Sequence, residues 1–196
     1  LVSDPTWANH VPLLGEAGLQ IEKYPYYDYA THSIRFDAMM QALAAAGPND
    51  LVLLHGCCHN PCGADLDREQ WQAVRDLALK NGFTPFIDLA YQGLGDGIDE
   101  DTYGVRLLAE AVPELIVVSS CSKNFGLYRE RTGSLTVICE SAASTTPSAH
   151  LSASTTVTRR CSSDAGSSAR TPGRYQFTKS CTMPCSMAPG FSSTQA

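Results

Sequence analysis

Up to about Ser141 the chain alternates two kinds of segment, and that alternation leaves few folds open. The short apolar runs LVLLH (Leu51–His55), TPFIDLA (Thr84–Ala90), ELIVVSS (Glu114–Ser120) and GSLTVIC (Gly133–Cys139) have the length and content of strands. LQIEKYPY (Leu19–Tyr26) reads as another. Amphipathic stretches at helical spacing lie between them. RFDAMMQALAAAG places Phe36, Met39, Met40 and Leu43 on one face and stops at Gly47–Pro48. DREQWQAVRDLALKNG places Trp71, Val74, Leu77 and Ala78 together. It begins with Asp67 as N-cap and Gln70 three residues on, and it stops at Asn81–Gly82. YGVRLLAEAV (Tyr103–Val112) reads as a further helix. Strands separated by helices in this way predict an α/β fold with a mostly parallel sheet.

The pattern ends near Ser141. Of the last 56 residues 22 are Ser or Thr, and Asp164 is the single acid. So little Leu, Ile, Val and Phe cannot bury enough apolar area to offset the entropy of ordering. The chain therefore divides into a patterned part, residues 1–140, and a low-complexity part, residues 141–196. Two readings of the second part stay open: a disordered tail, and a segment translated in a shifted reading frame. Both predict little packed structure.

Bulk properties exclude several function classes. A net charge of −6 gives no nucleic-acid footprint. The longest apolar runs fall far short of the roughly 20 residues that span a bilayer, so no membrane partner is expected. LVSDPTWANH has neither the basic nor the apolar region of a signal peptide. It also lacks an initiator Met, as in a chain that begins mid-protein. Eight unevenly placed cysteines without a secretory signal read as reduced thiols in a cytoplasmic setting.

The densest cluster of reactive side chains is HGCCHNPCG, His55–Gly63, with three cysteines and two histidines. A zinc site needs tetrahedral convergence of such groups. Adjacent residues of an extended chain point to opposite faces, so Cys57 and Cys58 cannot both turn inward, and no metal is expected. A metal- or redox-binding module remains the competing reading.

Three segments fall at the C-terminal ends of predicted strands: HNPCG, DLAYQG and SSCSKNFGLYRER. In open parallel sheets that edge is where ligands bind. Together they offer an amine (Lys123), a carboxylate (Asp88), a phenol (Tyr91), an amide (Asn60), hydroxyls (Ser120, Ser122) and a guanidinium (Arg131). That set matches the demands of pyridoxal 5′-phosphate: an amine for its aldehyde, a carboxylate for its ring nitrogen, donors for its phenolate, and hydroxyls with an arginine fork for its phosphate. Taken singly, Lys123 and Arg131 are ordinary surface charges and Asp88 an ordinary helix cap. The combination carries the argument.

SDPTWANH, HGCCHNPCG, DLAYQGLGDG and SSCSKNFGLYRERTG, in this order and spacing, resemble the class I pyridoxal-phosphate aminotransferases, in the aspartate and aromatic amino acid branch. The resemblance runs from about Ser3 to Glu140. It implies the large domain of a fold type I transferase, here a partial three-layer sandwich. It implies that Lys123 forms the Schiff base and moves the substrate proton, and that Asp88 holds the pyridine nitrogen. Tyr91 and Asn60 serve the phenolate oxygen, and Ser120, Ser122 and Arg131 the phosphate. Trp7 packs by cofactor and substrate, and Asn60 also reaches the substrate carboxylate. His10 and His55 stand behind these groups. Asn60–Pro61 is implied to be a cis peptide, and Cys62 stands where the family usually has Thr.

The implied partners are an amino acid, a 2-oxo acid and a second copy of the chain. Family members are about twice as long. The resemblance places their N-terminal phosphate loop before Leu1 and their substrate-binding arginines after Glu140. No role is carried onto Arg159, Arg160, Arg170 or Arg174. The expected function is transfer of an amino group from an aspartate or aromatic amino acid to a 2-oxo acid. The alternative is a non-catalytic remnant or gene-model fragment with weak or no cofactor binding.

Overall fold

The structure is a computed structural model, and it describes residues 1–139 together with the backbone of two short strands at 155–159 and 177–181. Ten strands and four helices occur among the described residues. β1 (Val2–Asp4) leads to α1 (His10–Glu16). Three short strands follow, β2 (Lys23–Pro25), β3 (Tyr27–Asp28) and β4 (Ser33–Ile34), and then α2 (Phe36–Leu43). β5 (Leu51–His55), α3 (Arg68–Asn81), β6 (Thr84–Leu89), α4 (Tyr103–Ala111), β7 (Glu114–Ser120) and β8 (Gly133–Cys139) complete the main body. β9 (Thr155–Arg159) and β10 (Phe177–Cys181) pair antiparallel.

The central sheet has the order β5-β6-β7-β8. β5, β6 and β7 run parallel and β8 returns antiparallel. A two-stranded parallel sheet, β1-β2, continues it at the β5 edge. There the Leu53 N–H donates to the Leu1 carbonyl and the Leu1 amino group donates to the Leu51 carbonyl. The mostly parallel α/β sheet read from the sequence is the one found.

The register divides the sheet into two faces. Val52, Leu54, Ile87, Leu115 and Val117 point into the core with Met39 and Leu43 of α2, Trp71, Val74 and Ala78 of α3, and Leu108 of α4. Close approach of α3 and α4 needs Gly104: a Cβ there would lie 2.5 Å from the Trp71 ring. The opposite face begins apolar, with Leu53 and Phe86, and turns polar at its C-terminal end, with His55 beside Asp88. Across this face Leu14 of α1 and Leu19 border a cavity against Leu53 and Phe86. The second helical layer is thus represented among the described residues by α1.

Helix α3 starts and stops as its sequence dictates. The Asp67 side chain accepts from the Gln70 N–H and the Gln70 side chain accepts from the Asp67 N–H, a reciprocal box that satisfies two free donors. Gly82 closes the helix in the left-handed conformation, φ 79°.

Other boundaries moved. The expected strand Leu19–Tyr26 shrinks to Lys23–Pro25, because the Leu19 N–H is still bonded to the Leu14 carbonyl at the end of α1. α2 ends at Leu43 rather than at Gly47, since the Ala45 and Ala46 N–H groups tighten onto carbonyls three residues back. Strand β5 keeps the expected end at His55, but Cys57 and Cys58 beyond it lie in a turn rather than in extended chain. In the low-complexity part, β9 and β10 are elements that composition did not announce. The remainder of 140–196, with its expected disorder or shifted frame, lies outside the described residues.

Trp71→Ala is expected to cost about 3–5 kcal/mol in urea unfolding. Leu79→Ala, on an exposed position of the same helix, should cost within ~0.5 kcal/mol.

Candidate active site

Parallel pairing sets His55 opposite Asp88 and Asp88 opposite Val118, so the ends of three neighbouring strands come together. From these ends leave the loops that carry Asn60, Tyr91 and Lys123. The edge expected to bind ligand is therefore the edge where the candidate residues collect.

Asp88 is held from behind. His10, the first residue of α1 and buried, approaches the Asp88 Oδ2 with Nε2 at 3.0 Å. A carboxylate oxygen accepts, so Nε2 is the donor. His10 Nδ1 faces the Thr6 hydroxyl at 2.8 Å, and the same hydroxyl lies 3.3 Å from His55 Nε2. Trp7 packs edge-on against His10 with centroids 5.2 Å apart. The four residues Asp88, His10, Thr6 and His55 form one chain of polar contacts, and Trp7 closes its side.

A second group of rings lies beneath. His55 and His59 are 3.9 Å apart, and His59 stacks on Tyr26 at 4.2 Å. His59 bonds the Ser3 hydroxyl through Nε2 and the Cys62 thiol through Nδ1. Burial drives both imidazoles toward the neutral form. It pushes His55 down to about 2, with the neighbouring His59 and His10 adding to the effect, and it pushes His59 down to about 4.

The third group faces the opening. Asn60 Nδ2 donates to the Tyr91 phenol at 3.3 Å. Lys123 Nζ sits over the Tyr91 ring, 5.1 Å from its centroid. Ser120 and Ser122 share one tight turn, with the Ser122 N–H donating to the Ser120 hydroxyl at 3.1 Å. Thr132 joins this turn through its carbonyl, which accepts from the Cys121 N–H. Arg131 is thereby carried alongside, although its guanidinium is exposed and reaches only its own loop at the Tyr128 carbonyl. Gly133 is required where β8 leaves: a Cβ there would meet the Ser119 carbonyl oxygen at 2.4 Å.

All ten residues singled out in the sequence lie at or beside this edge. Arg131 is the one whose side chain the structure leaves apart. Asn60–Pro61 is cis, as the resemblance implied, and Asp4–Pro5 is a second cis bond that no sequence reading anticipated. Thr6, Ser3 and His59 were not singled out. Their signal was present in SDPTWANH and HGCCHNPCG, but only the fold reveals that Thr6 bridges two histidines. Cys57 is buried as a small apolar residue, and burial pushes its thiol upward. No group of three or more His, Cys, Asp or Glu among the described residues is placed to hold a metal ion. No helix among them is long and apolar enough to cross a membrane.

Residues 1–170 match the family described as aminotransferase class I and II. The chain belongs to that family. It is 53% identical over 142 residues to an aromatic-amino-acid aminotransferase of Paracoccus denitrificans, covering 72% of this chain and 36% of the relative. It is 48% identical over 137 residues to an aspartate aminotransferase of Escherichia coli, covering 70% and 35%. Among solved structures, an aromatic-amino-acid aminotransferase of Burkholderia pseudomallei, covalently bound to pyridoxal phosphate, superposes with a TM-score of 0.66 at 46% identity. That match covers 67% of this chain and 33% of the other. The aminotransferase chain thus spans about a third of the length of the relatives it matches.

The neutral histidines give the aminotransferase fold a pH dependence with a definite sign. Below about pH 6.5 unfolded histidines take up protons that His55 and His59 refuse when folded. Stability is therefore full above that pH and falls as pH drops, each group contributing up to ~1.4 kcal/mol per pH unit. The fall should continue to about pH 4 for His59. Urea midpoints measured from pH 7 to pH 4.5 should show this slope, and His59→Gln should make it shallower.

Proposed function

We propose that this chain is the central part of the cofactor domain of a pyridoxal-phosphate-dependent aminotransferase. Its reaction moves an amino group from an aspartate or aromatic amino acid to a 2-oxo acid. One observation carries the reading. Asp88 with His10 behind it, the Asn60–Tyr91 pair, and Lys123 over the Tyr91 ring all sit at adjacent strand ends.

The residues present fit the cofactor by their chemistry. They offer one amine, one backed carboxylate, a phenol–amide donor pair, and a serine turn with an arginine beside it. The loop also has an unmet polar demand, since the buried Asn124 Oδ1 next to Lys123 has no hydrogen-bond partner among the described residues. When bound, pyridoxal phosphate supplies an aldehyde and a ring that withdraws electrons from the substrate α-carbon.

Every other contribution belongs to the protein. Asp88 holds a proton on the ring nitrogen, and His10 fixes the orientation of its carboxylate. Tyr91 and Asn60 donate toward the ring oxygen. Ser120 and Ser122 supply hydroxyls for the phosphate, and Arg131, next to the Thr132 that bonds this turn, supplies a guanidinium. With the cofactor bound, Lys123 would move the proton from the substrate α-carbon to the carbon of the cofactor's aldehyde group, as a positioned general base and then acid. Trp7, beside His10, walls the substrate side. The amino acid, the 2-oxo acid and a partner subunit belong to the whole protein and to this same proposal. Aromatic and aspartate aminotransferases are both among the relatives, at 53% and 48% identity, which supports a substrate class that includes both.

The competing reading, a chain that keeps these residues without assembling them around a cofactor, is favoured by the Arg131 guanidinium, which is exposed and bonds the Tyr128 carbonyl rather than the serine turn. A single experiment separates the two. The chain is incubated with pyridoxal phosphate, reduced with borohydride and digested, and the modified residue is mapped by mass spectrometry. Selective modification of Lys123, falling to background in Asp88→Ala, is the expected result. Modification spread over surface lysines, unchanged by Asp88→Ala, would establish the competing reading.

A further inference from the structure

Two carboxylates outside the candidate site are bound in the same unusual way. Asp65 is exposed, yet its two oxygens accept the successive backbone N–H groups of Cys58 and His59 at 2.6 and 2.7 Å. Those N–H groups converge because Cys58 adopts a left-handed conformation, φ 47°, that a residue with a side chain rarely takes. Asp101 is buried and accepts from the N–H groups of Gly93, Gly95 and Asp96 at 2.7, 3.1 and 2.9 Å. Burial opposes its charge, but these backbone donors together lower its acidity range below the ordinary value. Gly95 leaves room for it: a Cβ there would lie 2.6 Å from Asp101 Oδ1.

Converging backbone N–H groups of this kind form a concave site for an anion. Here the chain fills both with its own carboxylates, so neither is open to a ligand. Each sits in an equivalent place. After β5 comes Asn60, then Asp65, then the N-cap of α3. After β6 comes Tyr91, then Asp101, then α4. Each loop thus has a site residue near its strand and a carboxylate near its helix, and the carboxylate ties the loop backbone to the rigid start of that helix.

We infer that Asp65 and Asp101 are positioning residues that set the Asn60–Tyr91 pair, each by clamping the loop that carries one of its members. The inference rests on the functional reading above, in which that pair serves the cofactor. The Asn60–Tyr91 contact is already long at 3.3 Å, so a small shift of either loop breaks it. Tyr26 adds a hydrogen bond to the Ala64 carbonyl, which fixes the far side of the first loop but leaves the Cys58 and His59 N–H groups to Asp65. An amide cannot replace either clamp, because its NH2 would face a backbone donor.

The test uses Asp65→Asn and Asp101→Asn in the full chain, with two readouts. The first is backbone amide exchange. The second is the pyridoxal phosphate concentration that gives half-maximal borohydride-fixed labelling of Lys123. Amides in α3 should keep their protection while those of each clamped loop exchange faster, and the half-labelling concentration should rise roughly tenfold. Adding Asp65→Asn to Asn60→Ala should change labelling by less than about twofold, since no amide remains to be positioned. Its full factor in that background, or unchanged labelling while the loop amides open, overturns the inference.

A parent chain never labelled at Lys123 overturns the functional reading instead. The positioning role is then read without cofactor. Coupling between Asn60→Ala and Tyr91→Phe in urea midpoints should vanish when Asp65→Asn is present, and its persistence overturns the inference. If Asp101→Asn does not fold, Gly95→Ala, which presses on the same carboxylate, is measured in its place.

Discussion

In-register parallel pairing of β5, β6 and β7 is the constraint on which the rest depends. Successive side chains of a strand point to opposite faces, so a slip of one residue would exchange the two faces completely. Val52, Leu54 and Ile87 would leave the core, and His55 and Asp88 would enter it. The apolar side chains therefore fix the chemistry without touching it. Because Val52 and Leu54 must be inward, His55 must be outward and beside Asp88. Everything at the candidate site inherits its position from that choice.

The polar chain behind Asp88 is costly in isolation and is made tolerable by complete pairing. His10, Thr6, His55, His59, Ser3 and Cys62 are buried or half-buried, and each has a partner within hydrogen-bond reach. A buried donor left unpaired costs more than a formed bond returns, so such a network tolerates no missing member. His59 is buried between His55 and Tyr26, and burial holds both imidazoles toward the neutral form. The result is a rigid backing for the half-buried Asp88 carboxylate. This is the arrangement expected of a group that must hold one orientation toward a cationic ring nitrogen.

The sequence disclosed what is local. Asp67, Gln70 and Gly82 announce the ends of α3, and LVLLH and ELIVVSS announce β5 and β7 residue for residue. The site residues were legible because motifs place them just beyond strands, where a parallel sheet gathers them. What escaped depends on contacts distant in sequence. Thr6 is an unremarked residue until the fold sets it between His10 and His55, 49 residues away from the latter. Asp65 and Asp101 read as surface acids until the left-handed turn at Cys58 and the Gly-rich loop after Tyr91 show what they bind. β1 escaped because a three-residue strand carries no periodicity; it exists through its bonds to β2 and β5.

The two faces of the same sheet are covered unequally. One face is sealed by α2, α3 and α4, whose apolar side chains fill it. Among the described residues the opposite face is covered only in part, with Phe86, Ile116, Val118, Leu135 and Val137 all partly exposed and α1 set across a cavity. Polar groups exert their full effect on a bound cofactor only where water is kept out. Asp88 and Lys123 are on the partly covered side or at its rim. The described residues thus supply the directional part of the site: the carboxylate, its backing, the phenol–amide pair and the amine. The exclusion of water depends on how that second face is closed. In the proposed function, cofactor capture at Lys123 would depend chiefly on the first of these, and amino-group transfer on both.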